Sequence, residues 1–134
     1  MSLAIEERER EGIKILDLKG RLTVGPPAGQ LREKLSSLLA TGFTRTVLNL
    51  ADVDYIDSTG LGTLVICLTS YQKAKGSLRL CHLNRRNLEL LVLTKLSTVF
   101  ELYNDDHDAV NSFFPNREIK RFDILSFVQQ QNEG

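Results

Sequence analysis

VLNLADVDYIDSTGLGTLV, residues 47–65, holds a strand, a turn and the opening of a helix in one run. TRTVLNL, residues 44–50, is short and almost continuously apolar, the pattern of a central strand covered on both faces. Leu61, Leu64, Val65, Leu68 and Tyr71 then recur at helical spacing and predict a helix over about residues 59–75. Lys73 and Lys75 suit its C-terminal end, and Gly76 its stop. Between strand and helix stand an acid, two hydroxyls and two glycines.

Upstream, LAIEERERE and IKILDLKG flank Glu11-Gly12, so residues 3–19 read as a β-hairpin. Ile15 and Leu16 are adjacent and apolar; either both faces are covered there or a bulge intervenes. RLTVGPPAGQ is a loop, with Pro27 in the first turn of a helix that carries Leu31, Leu35, Leu38 and Leu39 inward and meets a C-terminal cap at Gly42.

Downstream, SLRLCHL, residues 77–83, is the next strand, and Asn84 caps a third helix with Leu88, Leu91 and Val92 inward. STVFELY reads as a short edge strand. NDDHDAVNSFF reads as a last helix with Ala109, Val110 and Phe113 inward, ended by Pro115. In the tail, Ile119, Phe122, Leu125 and Val128 recur every third residue and predict an amphipathic helix. The expected architecture is α/β: a mixed sheet of four to five strands, an antiparallel hairpin followed by parallel strands through right-handed helical crossovers, flanked by helices.

The 134 residues suffice for one core, and 42% hydrophobic with 25% charged residues is ordinary for a globular chain. Lys plus Arg equals Asp plus Glu at 17 each, so no basic excess points to nucleic acid. Cys67 and Cys81 lie in apolar runs and read as buried reduced thiols, which suit a cytoplasm. No run is long and apolar enough for a bilayer, and MSLAIEERERE is too acidic for a signal peptide. The expectation is a soluble cytoplasmic protein that engages neither membrane nor nucleic acid directly.

The turn lies at the carboxyl end of a central strand, where open α/β sheets place their sites. One helix cap needs one residue and contributes ~1 kcal/mol; Asp57, Ser58 and Thr59 exceed that need. Gly60 and Gly62 weaken the first helical turn by up to about 1 kcal/mol each against Ala, which points to something approaching this backbone closely. Nucleotide signatures fail: Val65 replaces the third glycine of a dinucleotide loop, and Thr63-Leu64 follows Gly62 where a P-loop needs Lys-Ser/Thr. No cofactor and no metal cluster is expected. A small serine hydrolase would need Ser58 with a base, and His82, at the end of the following strand, is the candidate; Ile56 spoils the nucleophile elbow. His107, among Asp105, Asp106 and Asp108, reads as surface.

A phosphate on Ser58 would meet the positive helix end, favourable by about 0.3–1 kcal/mol, and would add about −1.5 to −2 charge beside Asp52, Asp54 and Asp57. The fold survives that. A partner docked on the turn does not: a loss of about 4 kcal/mol weakens binding roughly a thousandfold.

These residues carry a family likeness. VLNLADVDYIDSTGLGTLV, with LDLKGRL before it and LTKLSTVFELY after it, resembles the STAS domain of bacterial anti-sigma factor antagonists over about residues 3–114. The resemblance implies a STAS-like domain over residues 1–114, no enzyme activity, and partner switching. The unphosphorylated protein would bind an anti-sigma factor, usually a serine kinase, and so free a sigma factor. The kinase would phosphorylate Ser58, and a serine phosphatase would reset it. Asp57, Thr59, Gly60, Leu61 and Gly62 would form the contact surface. Many family members carry Asp where this chain has Thr23, on a loop associated with the same surface. Residues 115–134 extend past the usual domain, to cover the sheet, form a homodimer, dock a partner or pack on their own domain. Within the fold, the alternative is a stand-alone STAS domain serving a signalling scaffold or a lipid-transport ATPase complex.

Overall fold

The computed structural model describes residues 3–119. In chain order the elements are β1 (Ala4–Arg10), β2 (Ile13–Leu22), α1 (Pro26–Ala40), β3 (Arg45–Ile56), α2 (Ser58–Lys73), β4 (Ser77–Cys81), α3 (Arg85–Leu93), β5 (Leu102–Tyr103) and α4 (Asp106–Asn111). The five strands form one sheet in the order β1-β2-β3-β4-β5. β1 pairs antiparallel with β2; every later pair is parallel. This is the mixed sheet that the hairpin and crossover pattern predicts.

Strand alternation explains how one sheet serves two cores. Leu16, Leu18, Leu48 and Leu50 point to one face, where they meet Leu31, Leu35, Leu64, Leu68 and Leu91 from α1, α2 and α3. Ile13, Ile15 and Val47 point to the other, under Ala109 and Val110 of α4, with Phe113, Phe114 and Ile119 packed alongside. Ile15 and Leu16 are both fully buried, so their adjacency marks a strand covered on both sides. The register shifts in β2 fall later, between Asp17 and Lys19 and between Gly20 and Arg21. Each apolar side chain sealed in these layers contributes about 1.5–3 kcal/mol before chain entropy is subtracted.

Three local expectations are corrected. The central strand does not stop at Leu50: it runs on to Ile56, because β2 continues beside it through Leu22↔Ile56. That extension carries the backbone past Asp52, Asp54 and Tyr55, all exposed, to the foot of α2. Gly76 does not end α2 by turning left-handed; Lys75 takes that conformation (φ 59). Gly76 is required instead because a Cβ there would come within 2.2 Å of the Thr44 carbonyl oxygen. α4 ends at Asn111, before Pro115. The tail helix expected from Ile119 onward falls on residues outside the described ones; before it, Arg117 pairs with Glu11 at 2.5 Å and its guanidinium stacks on Phe114 at 4.1 Å.

α4 is tied to the hairpin by charge. Arg8 donates to both oxygens of Asp17 at 2.6 and 2.8 Å and to Asp106 at 3.0 Å, and the Asn49 amide donates to Asp17 at 2.7 Å. The Arg8 hydrogen bonds hold the Asp17 carboxyl below its ordinary range.

α2, which carries the site, is fixed at its other end. Tyr71 is fully buried, and its hydroxyl shares a 2.7 Å hydrogen bond with Thr46 of β3. Tyr71→Phe is expected to lower unfolding free energy by about 1–2 kcal/mol, because Thr46 is left with a buried unpaired hydroxyl. Tyr71→Phe with Thr46→Val should cost less than the sum of the single changes. Urea unfolding of the three variants measures this, and strict additivity would rule out the coupling.

Candidate functional site

β3 ends at Ile56, and Asp57 turns the chain into α2 with extended backbone (φ −93, ψ −178). Each of its carboxylate oxygens accepts a backbone amide. Oδ1 accepts from the Gly60 N–H at 2.8 Å and so caps the helix. Oδ2 accepts from the Val24 N–H at 2.9 Å, in the loop between β2 and α1. Its own N–H donates to the Leu22 carbonyl at 3.2 Å. One residue thus joins the first turn of α2 to a loop distant in sequence. The Gly60 amide first, then the Val24 amide, hold the Asp57 carboxyl below the usual carboxylate range.

Gly60 has an internal reason. A Cβ there would lie 2.0 Å from the Leu22 carbonyl oxygen and 2.8 Å from its carbon, so only glycine lets α2 seat against the end of β2. The expectation that both glycines admit an outside partner is therefore corrected for Gly60, which is buried. Gly62 differs: it is half-buried, and a Cβ would meet nothing within 4 Å. The fold gives no reason for its bare backbone. Leu61, which the resemblance puts on a contact surface, is 8% exposed and belongs to the core.

Ser58 is the first helical residue and is exposed, as is Thr59. Thr23 sits across the clamp, half-buried, its carbonyl accepting from the Ala28 N–H at 3.2 Å. Beside it Val24 is 67% exposed. The turn thus brings Thr23, Asp57, Ser58 and Thr59 to one rim, and Gly62 follows one helical turn along from Ser58.

Ser58 also opens onto a groove of about 380 Å³ between the end of β3 and α3, lined by Tyr55, Arg86, Asn87, Leu90 and Leu93 among others. α3 is pinned there through one acceptor. The Val53 carbonyl takes the Asn84 amide at 3.0 Å and the Asn87 amide at 2.8 Å, while the Asn84 side-chain oxygen caps α3 at the Asn87 N–H, 2.8 Å away. Leu93 is left 81% exposed and Tyr55 43%. The sequence reading names none of these wall residues; adjacent arginines and an apolar residue at a helix end give no sign of the strand they will flank.

The hydrolase arrangement is not assembled. His82 adopts a left-handed backbone (φ 58) at the end of β4, and its Nε2 lies 3.8 Å from Asp106 of α4. It is absent from the groove wall beside Ser58. Among the described residues, no helix is long and apolar enough to cross a membrane, and no group of His, Cys, Asp or Glu could hold a metal ion.

A mixed sheet entered by an antiparallel hairpin, with an Asp-Ser-Thr-Gly helix mouth at the end of its central strand, defines a STAS domain. The family model described as "STAS domain" matches residues 4–109. The chain belongs to that family, and within it to the anti-sigma factor antagonists. It is 32% identical over 102 residues to the anti-sigma-B factor antagonist of Bacillus subtilis (strain 168), covering 76% of this chain and 92% of that protein. An anti-sigma factor antagonist from Mycobacterium paratuberculosis superposes with a TM-score of 0.74 at 19% identity, covering 82% of this chain and 92% of that one. SpoIIAA of Bacillus, an anti-sigma factor antagonist, superposes in its unphosphorylated form with a TM-score of 0.64 at 15% identity, over 85% of this chain and 100% of that one. Its phosphorylated form gives 0.64 at 17%, over 82% and 99%. These structural likenesses establish the fold. Anti-sigma factor antagonists are generally non-enzymatic regulators.

Two outcomes follow from the clamp. A carboxyl whose folded pKa is depressed supplies stability that is present above its unfolded value and lost as pH falls through the folded value. The amide shifts of Gly60 and Val24 should therefore titrate together with a midpoint below the unfolded carboxyl value of about 3.9. NMR titration checks this; separate midpoints would show that no single carboxylate holds both. For the glycines, Gly60→Ala should destabilise by more than about 1 kcal/mol through the clash with Leu22, whereas Gly62→Ala should stabilise by up to about 1 kcal/mol. Thermal unfolding separates the two.

Proposed function

We propose that the chain is a phosphorylation-controlled anti-sigma factor antagonist. Unmodified, it binds an anti-sigma factor of the serine-kinase kind and so frees a sigma factor; phosphorylated on Ser58, it lets that partner go. In the modifying step the Ser58 Oγ forms a bond to the γ-phosphorus of ATP, ADP leaves, and the hydroxyl proton passes to a base of the kinase. A serine phosphatase returns the hydroxyl by hydrolysis.

The observation that carries this reading is the pairing of an exposed Ser58 with a bare Gly62 that no internal contact requires. Asp57 holds the serine at a fixed rim, each carboxylate oxygen accepting a backbone amide. The contact surface is then Thr23, Asp57, Ser58, Thr59 and Gly62; buried Gly60 and Leu61 shape it from beneath. Thr23 supplies a hydroxyl where many relatives have an acid, so the rim carries one negative charge fewer. SpoIIAA, which shares the fold, exists in both phosphorylated and unphosphorylated forms, in keeping with a switch that leaves the architecture intact. Ser58 is exposed in the first turn of α2, so a phosphate there lies outside the core.

Incubation with candidate anti-sigma kinases and ATP, followed by peptide mass spectrometry, should place the added phosphate on Ser58. Ser58→Asp should retain the fold and lose kinase binding by about a hundredfold or more, the penalty of a like charge at a docked face. Phosphate on another residue, or full binding by Ser58→Asp, would defeat the reading.

A further inference from the structure

Resting on the reading of Ser58 as the modified residue, we propose that Arg86 receives the phosphate and, by moving to it, closes the groove beside Ser58. Ser58 and Arg86 line the same groove from different elements, the start of α2 and the first turn of α3. Their separation is set by the backbone rather than by chance side-chain contact. Asn84 and Asn87 both anchor the first turn of α3 to the Val53 carbonyl, on the strand that leads straight into Ser58.

Among the described residues, Arg86 is the cation that lines the groove with Ser58. Its neighbour Arg85 is engaged with Glu89 at 3.4 Å. Among the described residues Arg86 forms no ion pair; its guanidinium rests 6.0 Å from the centre of the half-exposed Tyr55 ring. That distance is the outer limit of a cation–π contact and holds the group weakly. A phosphoserine offers three acceptor oxygens and a guanidinium a fork of donors, and the charge-assisted pair they form is stronger than ring contact. The carboxylates of the groove have other partners: Asp57 accepts two backbone amides and Glu89 pairs with Arg85.

The consequence is a switch with two actions. The phosphate repels a docked partner by charge. Arg86, drawn off Tyr55, lies over the apolar wall of Leu90 and Leu93 and removes the seat for an apolar side chain.

The test uses the full chain with phosphoserine incorporated at position 58 during translation, titrated by phosphorus NMR. Arg86→Gln should raise the phosphate's titration midpoint by about half a unit, Arg86→Lys should keep part of the effect, and Arg85→Gln should leave it in place. Identical midpoints for Arg86→Gln and the parent, or an equal rise in Arg85→Gln, would overturn the assignment. The titration needs no kinase. A normal Arg86 effect with no kinase acting on Ser58 would remove the switch and keep the pairing, and the reverse result would do the opposite.

Discussion

The site depends on one close approach: the first turn of α2 rests on the Leu22 carbonyl with no room for a side chain between them. Hydrogen bonding alone does not hold it. Gly60 permits the contact, and the Asp57 carboxylate then locks it by accepting one amide from each side. A backbone at that distance leaves the loop after β2 little freedom, so the rim of Thr23, Asp57, Ser58 and Thr59 is set before any partner arrives. Rigidity there suits recognition, because a preformed surface spares the entropy of ordering it on binding.

The sheet supplies the rest of the frame. β2 and β3 are covered on both faces, which is why their apolar residues come in adjacent pairs rather than strict alternation. At the carboxyl end of β3 only one face stays covered, through Val53 and Ile56, and α3 is built onto it by two asparagines sharing the Val53 oxygen. The other side of the molecule is organised differently. There Arg8 joins Asp17 of the hairpin to Asp106 of α4 by charge, Asn49 of β3 donates to Asp17, and His82 lies beside Asp106.

Much of this was legible in the chain. The apolar run at residues 44–50, the 3.6-residue stripes, the cap at Asn84 and the cap-rich turn at Asp57 marked the element order, because each is a local consequence of hydrogen bonding and periodicity. Element ends were less legible. β3 outlasts its apolar run because pairing with β2 continues, and pairing is a property of two segments. Ser58 stood out because an acid, two hydroxyls and two glycines exceed what a cap requires. Arg86, Asn87, Tyr55 and Leu93 did not, because nothing in their own neighbourhoods shows that α3 will lie beside α2.

The sequence by itself determined the kind of sheet, the helix mouth and the serine at its tip, since these follow from patterns a few residues long. Only the tertiary structure decided which glycine serves the fold and which faces outward. Gly60 and Gly62 look alike in the chain; what separates them is the carbonyl of Leu22, thirty-eight residues before Gly60 in the sequence and in direct contact with it only once β2 and β3 are paired.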